Sequence, residues 1–204
     1  LKRRLIHAKL VVLVMLKYSA PYKGCTAKDI SQGWKKKEHT ALDIIKRDEQ
    51  KGRATPLTAP EDVQIVRISG ETLTHDTTRL ENGYGVYMKG LESGTYHLYW
   101  HSYPTFPVKV GEIVKRGQIV AFMSNSGKVY SRGVYVPIKD RLHTDDGTHL
   151  HWENFEDLQG FRKINTFDFT SRIDWNLQPT YTWMEHKLAI LKAVLKAQQL
   201  LDNQ

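Results

Sequence analysis

The sequence predicts a mainly β domain, built on an antiparallel sheet, that is followed by one amphipathic helix. Six short segments are rich in β-branched and aromatic residues and are separated by turns with Gly, Pro or Asn, which is the pattern of strands. These segments are residues 63–69, 84–89, 95–101, 108–110, 118–123 and 148–154. Near the C-terminus the apolar residues change to helical spacing.

The predicted helix covers residues 183–201 and carries one apolar stripe. The stripe consists of Met184, Leu188, Leu191, Val194, Leu195 and Leu201. Three interpretations of it stay open: packing on the sheet, self-association, or tethering to a larger particle. Contact with a membrane surface is a less favoured fourth interpretation.

The length of 204 residues fits one domain with appendages that can bury a core of its own. We expect an N-terminal extension over residues 1–29, the main domain over 30–155, and a C-terminal wrap with the helix over 156–204. Cys25 is the only cysteine, which excludes an intrachain disulfide and a cysteine zinc cluster. The sequence contains no apolar stretch long enough for a transmembrane helix.

The formal net charge of +8 favours an anionic partner. Nucleic acid is one such partner, but the basic residues are scattered apart from short runs at 2–4 and 35–37. The sequence also has no nucleic-acid-binding motif. We therefore expect no nucleic-acid partner.

Two histidine-containing motifs predict a metal site. His149 and His151 are two residues apart, so on a strand both imidazoles point to one face. His39 and Asp43 are four residues apart and share a face on a strand or on a helix, so they can supply a second pair of ligands. Two imidazoles and a carboxylate, with one position open to water, are a donor set of catalytic zinc. The remaining histidine is then available for chemistry.

Six segments in a fixed order connect these motifs with a known family. They are His39-Thr40-Ala41-Leu42-Asp43, residues 55–60, Tyr99-Trp100-His101, residues 108–118, Asn125-Ser126-Gly127 and residues 149–153. In this order the sequence resembles the lysostaphin-type (LytM-like) zinc metallopeptidases, which cut peptide cross-links in bacterial cell walls. The resemblance covers residues 30–155 and implies the family's fold, an antiparallel β domain with a duplicated hybrid motif.

The resemblance also implies a role for each residue of the site. His39, Asp43 and His151 correspond to the ligands of one zinc ion per chain, and His101 and His149 to the catalytic histidines. Histidine suits proton transfer because its pKa lies close to neutral pH. The chain has no HExxH glutamate that would act as the base instead.

Two further assignments concern the surroundings of the site. His97 is an alternative to His101 as a catalytic residue, although the spacing to Gly111 favours His101. Tyr99 and Trp34 are predicted to contact the substrate.

Residues 128–147 depart from the family pattern. The family commonly passes from its glycine turn to the final histidine motif within a few residues, whereas here a longer stretch intervenes. We expect an inserted loop beside the cleft, because long loops without secondary structure in compact domains are usually functional. Such a loop would influence substrate choice.

The resemblance implies a zinc-dependent endopeptidase that hydrolyses peptide bonds in the stem peptides or cross-bridges of peptidoglycan. A phage lysin or virion-associated wall hydrolase is one form of such an enzyme. The alternatives are a non-hydrolytic module that binds the wall or a partner protein, and a structural component of a phage tail. Inactive relatives typically lose zinc ligands, and this sequence retains all three, which favours the enzyme.

The N-terminal segment leaves the localisation open. Residues 2–4 are basic and residues 10–16 are apolar, as in a short secretory signal, and residues 18–20 would form a poor cleavage site. Alternatively, Met15 is the start residue and residues 1–14 are an upstream extension. The implied function favours a site of action outside the cytoplasm or on a virion.

Overall fold

The computed structural model describes residues 17–33, 39–47, 52–69, 83–141, 144–159, 162–164 and 166–202. The basic and apolar parts of the possible signal segment, residues 2–4 and 10–16, and Trp34 lie outside these ranges, whereas its possible cleavage site at 18–20 lies inside them. The strands are β1 Tyr18–Ser19, β2 Ile30–Gln32, β3 Leu42–Ile44, β4 Pro56–Thr58, β5 Val63–Ser69, β6 Tyr84–Gly90, β7 Tyr96–Ser102, β8 Ile113–Val114, β9 Ile119–Phe122, β10 Tyr130–Ser131, β11 Val134–Tyr135, β12 Leu150–Asp157, β13 Arg162–Lys163 and β14 Ile173–Asp174. The α-helices are α1 Ile138–Arg141, α2 Thr166–Ser171 and α3 Trp183–Asp202.

The largest sheet has the strand order β2-β3-β12-β7-β6-β5-β8, with β13 also paired to β12. Its neighbouring strands are antiparallel. On one side β12 pairs Trp152 with Tyr99 of β7, and on the other it pairs His151 with Asp43 of β3. The register of the sheet therefore sets a predicted carboxylate ligand opposite a predicted imidazole ligand.

The hydrophobic core joins this sheet to a smaller one made of β4 and β9. Val86, Tyr99 and Trp152 of the large sheet are fully buried in one cluster with Leu57 and Val120 of the small sheet. Burial of this apolar surface is the main term that stabilises the domain. The mainly β class with a C-terminal helix, predicted from the sequence, is confirmed.

Most predicted strands are present, and one is not. The segments at 63–69, 84–89, 95–101, 118–123 and 148–154 correspond to β5, β6, β7, β9 and β12. The prediction at 108–110 was wrong, because these residues lead into a tight turn. There the Glu112 amide donates to the Lys109 carbonyl at 3.1 Å, and the Lys109 amide donates to the Glu112 carboxylate at 3.0 Å. The next strand, β8, follows this turn.

Residues 17–29 belong to the packed domain, although the sequence analysis assigned them to an extension. Strand β1 pairs in parallel with β14, and both Tyr18 and Cys25 are fully buried. The Gln178 side chain accepts a hydrogen bond from the Gly24 amide at 2.8 Å and donates to the Cys25 carbonyl at 2.9 Å. The C-terminal wrap therefore closes on this segment, and the packing does not break at residue 29.

Helix α3 packs on the domain through small residues. Ala189 and Ala193 are buried against Ile119 and Phe122. The apolar stripe that the sequence predicted faces solvent instead, and its described members are at least half exposed. They are Met184, Leu188, Leu191, Val194 and Leu195. Within the described ranges, no helix has both the length and the hydrophobicity needed to cross a membrane.

Candidate metal centre and active site

Three strands and the segments just before two of them bring the five predicted site residues into one cleft. Asp43 lies on β3 and His151 on β12, His39 and His149 lie just before these strands, and His101 lies near the end of β7. All five line the same cleft, which has a volume of about 840 Å³. The structure therefore brings together residues that are more than a hundred positions apart in the chain.

The Asp43 carboxylate lies at the centre of the cluster. Its Oδ1 is 2.8 Å from His151 Nδ1 and 3.7 Å from His149 Nε2, and its Oδ2 is 3.1 Å from His39 Nε2. The ligand atoms of His39, Asp43 and His151 all lie within 4.8 Å of one another. The same holds for the ligand atoms of His101, His149 and His151. His151 belongs to both groups.

Three backbone carbonyls fix the tautomers of the surrounding imidazoles. Nδ1 of His39 contacts the Gly33 carbonyl at 2.9 Å. Nδ1 of His101 contacts the Ser126 carbonyl at 2.7 Å, and Nδ1 of His149 contacts that of Gly147 at 2.7 Å. Because a carbonyl oxygen can only accept, Nδ1 is the donor in all three contacts. Nε2 of each neutral ring is then left with a lone pair.

The contact between His39 and Asp43 tests whether the site fits a metal ion. His39 Nε2 is buried and has no hydrogen-bond partner among the described residues, although it lies 3.1 Å from a carboxylate oxygen. A lone pair and a carboxylate facing each other lack the positive charge that would hold them together. A divalent cation shared by both groups supplies that charge, and zinc takes this combination of nitrogen and oxygen donors. The residues present therefore fit zinc.

Burial and neighbouring charges shift the pKa values of the cluster in opposite directions. Burial holds the pKa of His101 well below its ordinary value, and repulsion by His149 and His151 adds to this effect. Burial also lowers the pKa of His149. Burial also opposes the charged forms of Asp43 and His151, but the hydrogen bond between them outweighs this effect. It lowers the pKa of Asp43 and raises the pKa of His151 to about 9. His101 and His149 are thus neutral imidazoles beside an ionised pair.

His101 has a backbone conformation that is uncommon for a side-chain-bearing residue. Its φ is 57°, in the left-handed region. Backbone strain of this kind clusters at active sites, where the surrounding structure over-determines it. Here the hydrogen bond to Ser126 holds the ring 4.5 Å from that of His149, measured between centroids.

The inserted stretch at 128–147 lies beside the cleft, but it is not a structureless loop. It contains the hairpin of β10 and β11 and the short helix α1. Residues 128–133 and 145–147 line the cleft next to the histidine cluster. The expectation of an irregular loop was therefore wrong, because a glycine-containing turn and local pairing give the insertion its own secondary structure.

Tyr99 does not contact the cleft, so the prediction that it binds substrate is corrected. Its side chain is fully buried, its hydroxyl donates to the Thr58 carbonyl at 3.0 Å, and its ring packs edge-on against Trp152. Trp34, the other predicted substrate contact, lies outside the described residues. His97 is also fully buried and pairs with Glu61 rather than with the site, so His101 is the histidine of this strand that joins the cluster.

Sequence reasoning missed the groups that orient the site. The carbonyls of Gly33, Ser126 and Gly147 leave no signal in the sequence, because every residue has a carbonyl. Glu153 follows the final histidine motif and was given no role. It accepts a hydrogen bond from the Trp100 indole at 3.0 Å and lies 3.8 Å from His151 Nε2. Its position two residues after His151 on the same strand was the available signal.

Comparisons with known proteins bear on the fold. Neither family models nor curated proteins match the sequence. Among solved structures, LytU matches 72% of this chain and 88% of its own, with 18% identity and a TM-score of 0.52. The catalytic domain of the antimicrobial peptidase lysostaphin from Staphylococcus simulans matches 78% of this chain and 95% of its own, with 18% identity and a TM-score of 0.46. A zinc-containing peptidase from Vibrio cholerae matches 74% of this chain and 40% of its own, with 17% identity and a TM-score of 0.49.

Of these three matches, that to LytU is close enough to establish a shared fold. The chain therefore has the lysostaphin/LytM-like fold that its sequence motifs implied, and this prediction is confirmed. Because the sequence identity to LytU is only 18%, the match says nothing about the roles of single residues.

Proposed function

We propose that this chain is a zinc-dependent endopeptidase that hydrolyses peptide bonds in peptidoglycan. The observation that carries the proposal is the cluster of His39, Asp43 and His151, whose ligand atoms lie within 4.8 Å of one another. They include a buried nitrogen that has no hydrogen-bond partner in the described part of the chain. The shared fold and the order of the six sequence motifs support the peptidase class. The net charge of +8 suits a polyanionic wall.

In this proposal His39 would bind zinc through Nε2, Asp43 through a carboxylate oxygen and His151 through Nδ1. These are the atoms that face one another around the carboxylate. Glu153 lies near the opposite nitrogen of His151 and would orient that ring, as a carboxylate commonly does for a metal-binding histidine. Zinc, when bound, supplies a Lewis acid that polarises the peptide carbonyl and makes water a stronger acid.

His101 and His149 would perform the proton transfers. The proton on Nδ1 of each ring is engaged by a backbone carbonyl, so Nε2 can accept a proton from the attacking water. A ring protonated in this way can then donate its proton to the leaving amine. Because both rings start neutral, the ring that takes the proton from water is the one that later donates it to the leaving amine. The other ring lies 4.5 Å away, measured between centroids, in the same cleft.

The test is zinc analysis together with wall hydrolysis on the same preparations of wild type, His151→Ala and His149→Ala. We expect wild type to hold one zinc per chain and to release new amino termini from purified peptidoglycan. His151→Ala should lose zinc because a ligand is removed. His149→Ala should keep zinc and lose roughly 10²- to 10⁴-fold in rate, as expected for removal of a general acid or base.

His186→Ala is a matched control, because His186 lies on α3 outside the cleft. It should change neither zinc content nor rate. Wild type without zinc, or His151→Ala with full zinc, would contradict the ligand assignment. A zinc-bound wild type that cuts none of several wall types would contradict the peptidase.

A second candidate function is a binding or structural module on the same fold, for example in a phage tail. One observation favours it: the apolar stripe of α3 faces solvent over several turns. Contiguous exposed apolar surface commonly marks a contact with another macromolecule. The two functions are compatible, since the stripe and the cleft involve different residues.

A further inference from the structure

The proposed chemistry leaves one part of the cleft without a role. The cleft lining includes the histidine cluster and the six consecutive residues 128–133, which we call the cleft wall. The cleft wall comes from the insertion at 128–147, the stretch that departs from the family pattern of the sequence. The residues of the cleft wall therefore have no counterpart in that family pattern.

Buried polar groups anchor the cleft wall beside the histidine cluster. Asn125 is buried, and its Nδ2 donates to three carbonyls of the insertion at 3.0 to 3.2 Å. The buried guanidinium of Arg141 donates to the carbonyls of Gly127 and Val136, which flank the cleft wall on either side. Satisfied buried networks of this kind rigidify the backbone around them. The cleft wall is thus formed in advance, and a ligand that packs against it orders little additional chain.

The turn at the end of the cleft wall carries an arginine where the backbone does not favour one. Strands β10 and β11 pair Tyr130 with Tyr135 and Ser131 with Val134, so Arg132 and Gly133 form a two-residue turn. Both have positive φ, 51° and 80°, as in a type I′ turn. Asn-Gly suits such a turn, whereas arginine is uncommon in the left-handed region. The backbone therefore gives no reason for an arginine at this position, where the side chain is exposed and lines the cleft.

Tyr130 lies beside this arginine and presents an aromatic surface. Its ring packs edge-on against that of Tyr135 at 5.8 Å, yet its side chain is 52% exposed. Tyrosine and arginine are, with tryptophan, the side chains that are enriched at binding hot spots. Together they provide a flat apolar surface and a charged group at one edge of the cleft.

The charges of the lining indicate which ligand the cleft wall suits. Lys128 and Arg132 are cationic, and the cleft wall contains no acidic residue. Asp145 and Asp146 also line the cleft and repel an anion. The planar guanidinium of arginine binds a carboxylate through two parallel hydrogen bonds. The groups of the insertion that can hold a carboxylate are therefore the two cations of the cleft wall.

We propose that the cleft wall is a subsite for an acidic peptide, in which Arg132 pairs with a carboxylate and Tyr130 packs against the adjoining peptide chain. This inference rests on the proposed function, because it names the substrate class of the same cleft. It predicts a preference for wall peptides with free carboxylates over peptides in which these groups are amidated.

The test compares two probes on the full chain: a cross-linked muropeptide with free carboxylates, and the same muropeptide with these carboxylates amidated. Wild type, Arg132→Asn and Arg132→Lys are assayed. Arg132→Asn removes the charge and suits the turn, since Asn tolerates positive φ. For the free-carboxylate probe it should raise KM roughly tenfold, as expected for loss of a hydrogen bond to a charged group, with kcat unchanged. Arg132→Lys should recover part of the affinity.

The amidated probe should have the same KM with wild type and Arg132→Asn. Equal KM values for both probes in wild type, or an Arg132→Asn variant that is indistinguishable from wild type, would overturn the subsite. Calorimetric binding of both probes in a His149→Ala background separates this outcome from failure of the proposed function. If the His149→Ala protein binds the free-carboxylate probe more tightly than the amidated probe, and adding Arg132→Asn abolishes this difference, the subsite is supported even when wild type cuts neither probe. Equal binding of the two probes overturns the subsite.

Discussion

At the scale of single residues, backbone carbonyls organise the histidine cluster. The carbonyls of Gly33, Ser126 and Gly147 accept hydrogen bonds from Nδ1 of three imidazoles and so determine which nitrogen carries the lone pair. A substitution that displaces one of these carbonyls therefore changes the orientation or the protonated nitrogen of an imidazole, although the substituted residue does not contact the ring. Ser126 is the most sensitive point, because its backbone lies against Gly83.

Gly83→Ala and Gly94→Ala form a matched pair that tests this sensitivity. Both glycines have a φ of 69°, where a Cβ atom costs about 1–2 kcal/mol. An added Cβ meets nothing within 4 Å at Gly94 but would lie 2.4 to 2.6 Å from Ser126 atoms at Gly83. Urea unfolding should show a loss of about 1 kcal/mol for Gly94→Ala and roughly 3 kcal/mol for Gly83→Ala. Only Gly83→Ala should also slow wall hydrolysis, and equal effects of the two would contradict the role of Ser126.

A second buried histidine has a structural role. His97 Nε2 donates to Glu61 Oε1 at 2.9 Å, and its Nδ1 accepts from Asn154 Nδ2 at 2.8 Å. Burial lowers the pKa of His97. Burial would raise the pKa of Glu61, but the hydrogen bond from His97 holds it below its ordinary value. The pair is thus a neutral imidazole that donates to a carboxylate, with both side chains fully buried.

This pair predicts that the domain loses stability in acid. Both pKa values are lower in the folded state, so the unfolded chain binds more protons and the free energy of unfolding falls as the pH falls. The contribution of His97 is complete above about pH 6.5 and is lost below it, and that of Glu61 is lost below about pH 4.3. Urea unfolding of metal-free protein at about pH 7.5 and about pH 5 should show a smaller decrease for His97→Gln than for wild type. Equal decreases would contradict this account.

At the scale of elements, α3 shows how small residues decide which face of a helix packs. Ala189 and Ala193 let the helix approach Ile119 and Phe122 closely, while the larger apolar residues face outward. Periodicity alone would turn the stripe of large apolar residues toward the domain. It reflects how much apolar surface a helix face carries, and not how closely that face can pack against its neighbours. The stripe is therefore available for contacts outside the domain.

Two substitutions on α3 test this orientation. Ala193→Leu should destabilise the protein by about 1–3 kcal/mol, because the larger side chain overpacks the contact with Phe122. Leu195→Ala should change stability by less than about 0.5 kcal/mol, since Leu195 is mostly exposed. Thermal unfolding measures both. A large loss for Leu195→Ala with tolerance of Ala193→Leu would show that the stripe is the packed face.

At the scale of the whole molecule, the cleft and the exposed stripe of α3 are separate. The residues that line the cleft lie between Ser31 and His151 in the sequence, and α3 begins only at Trp183. The domain thus has one region that suits chemistry and another that suits attachment. Their independence can be tested directly.

Truncation after Pro179 removes α3 and uncovers Ile119 and Phe122. We expect the shortened protein to stay folded with reduced stability, to keep its zinc and to keep its rate of wall hydrolysis, because the cleft residues remain. Circular dichroism, zinc analysis and the hydrolysis assay measure these properties. A folded, zinc-bound truncation without activity would show that α3 takes part in catalysis.

The sequence by itself predicted the mainly β domain, most of its strands and the C-terminal helix. It also predicted the five side chains that meet in the cleft. The strands and the helix follow from local periodicity, and spacing pairs His39 with Asp43 and His149 with His151. His101 was implied only by the resemblance of the ordered motifs to a known family. The pairing of Asp43 with His151 then depends only on strand register.

The tertiary structure alone decided which carbonyls hold the imidazoles, that Tyr99 is a core residue, that the insertion forms a hairpin at the cleft, and that α3 packs through its alanines. The burial of Tyr99, the packing of α3 and the position of the insertion at the cleft depend on contacts between segments far apart in the chain, whereas the hairpin of the insertion is a local pairing. A buried tyrosine and a substrate-binding tyrosine have the same pattern in sequence, and only the surrounding atoms distinguish them. The physical reason is that periodicity encodes which residues face together, whereas packing determines what they face.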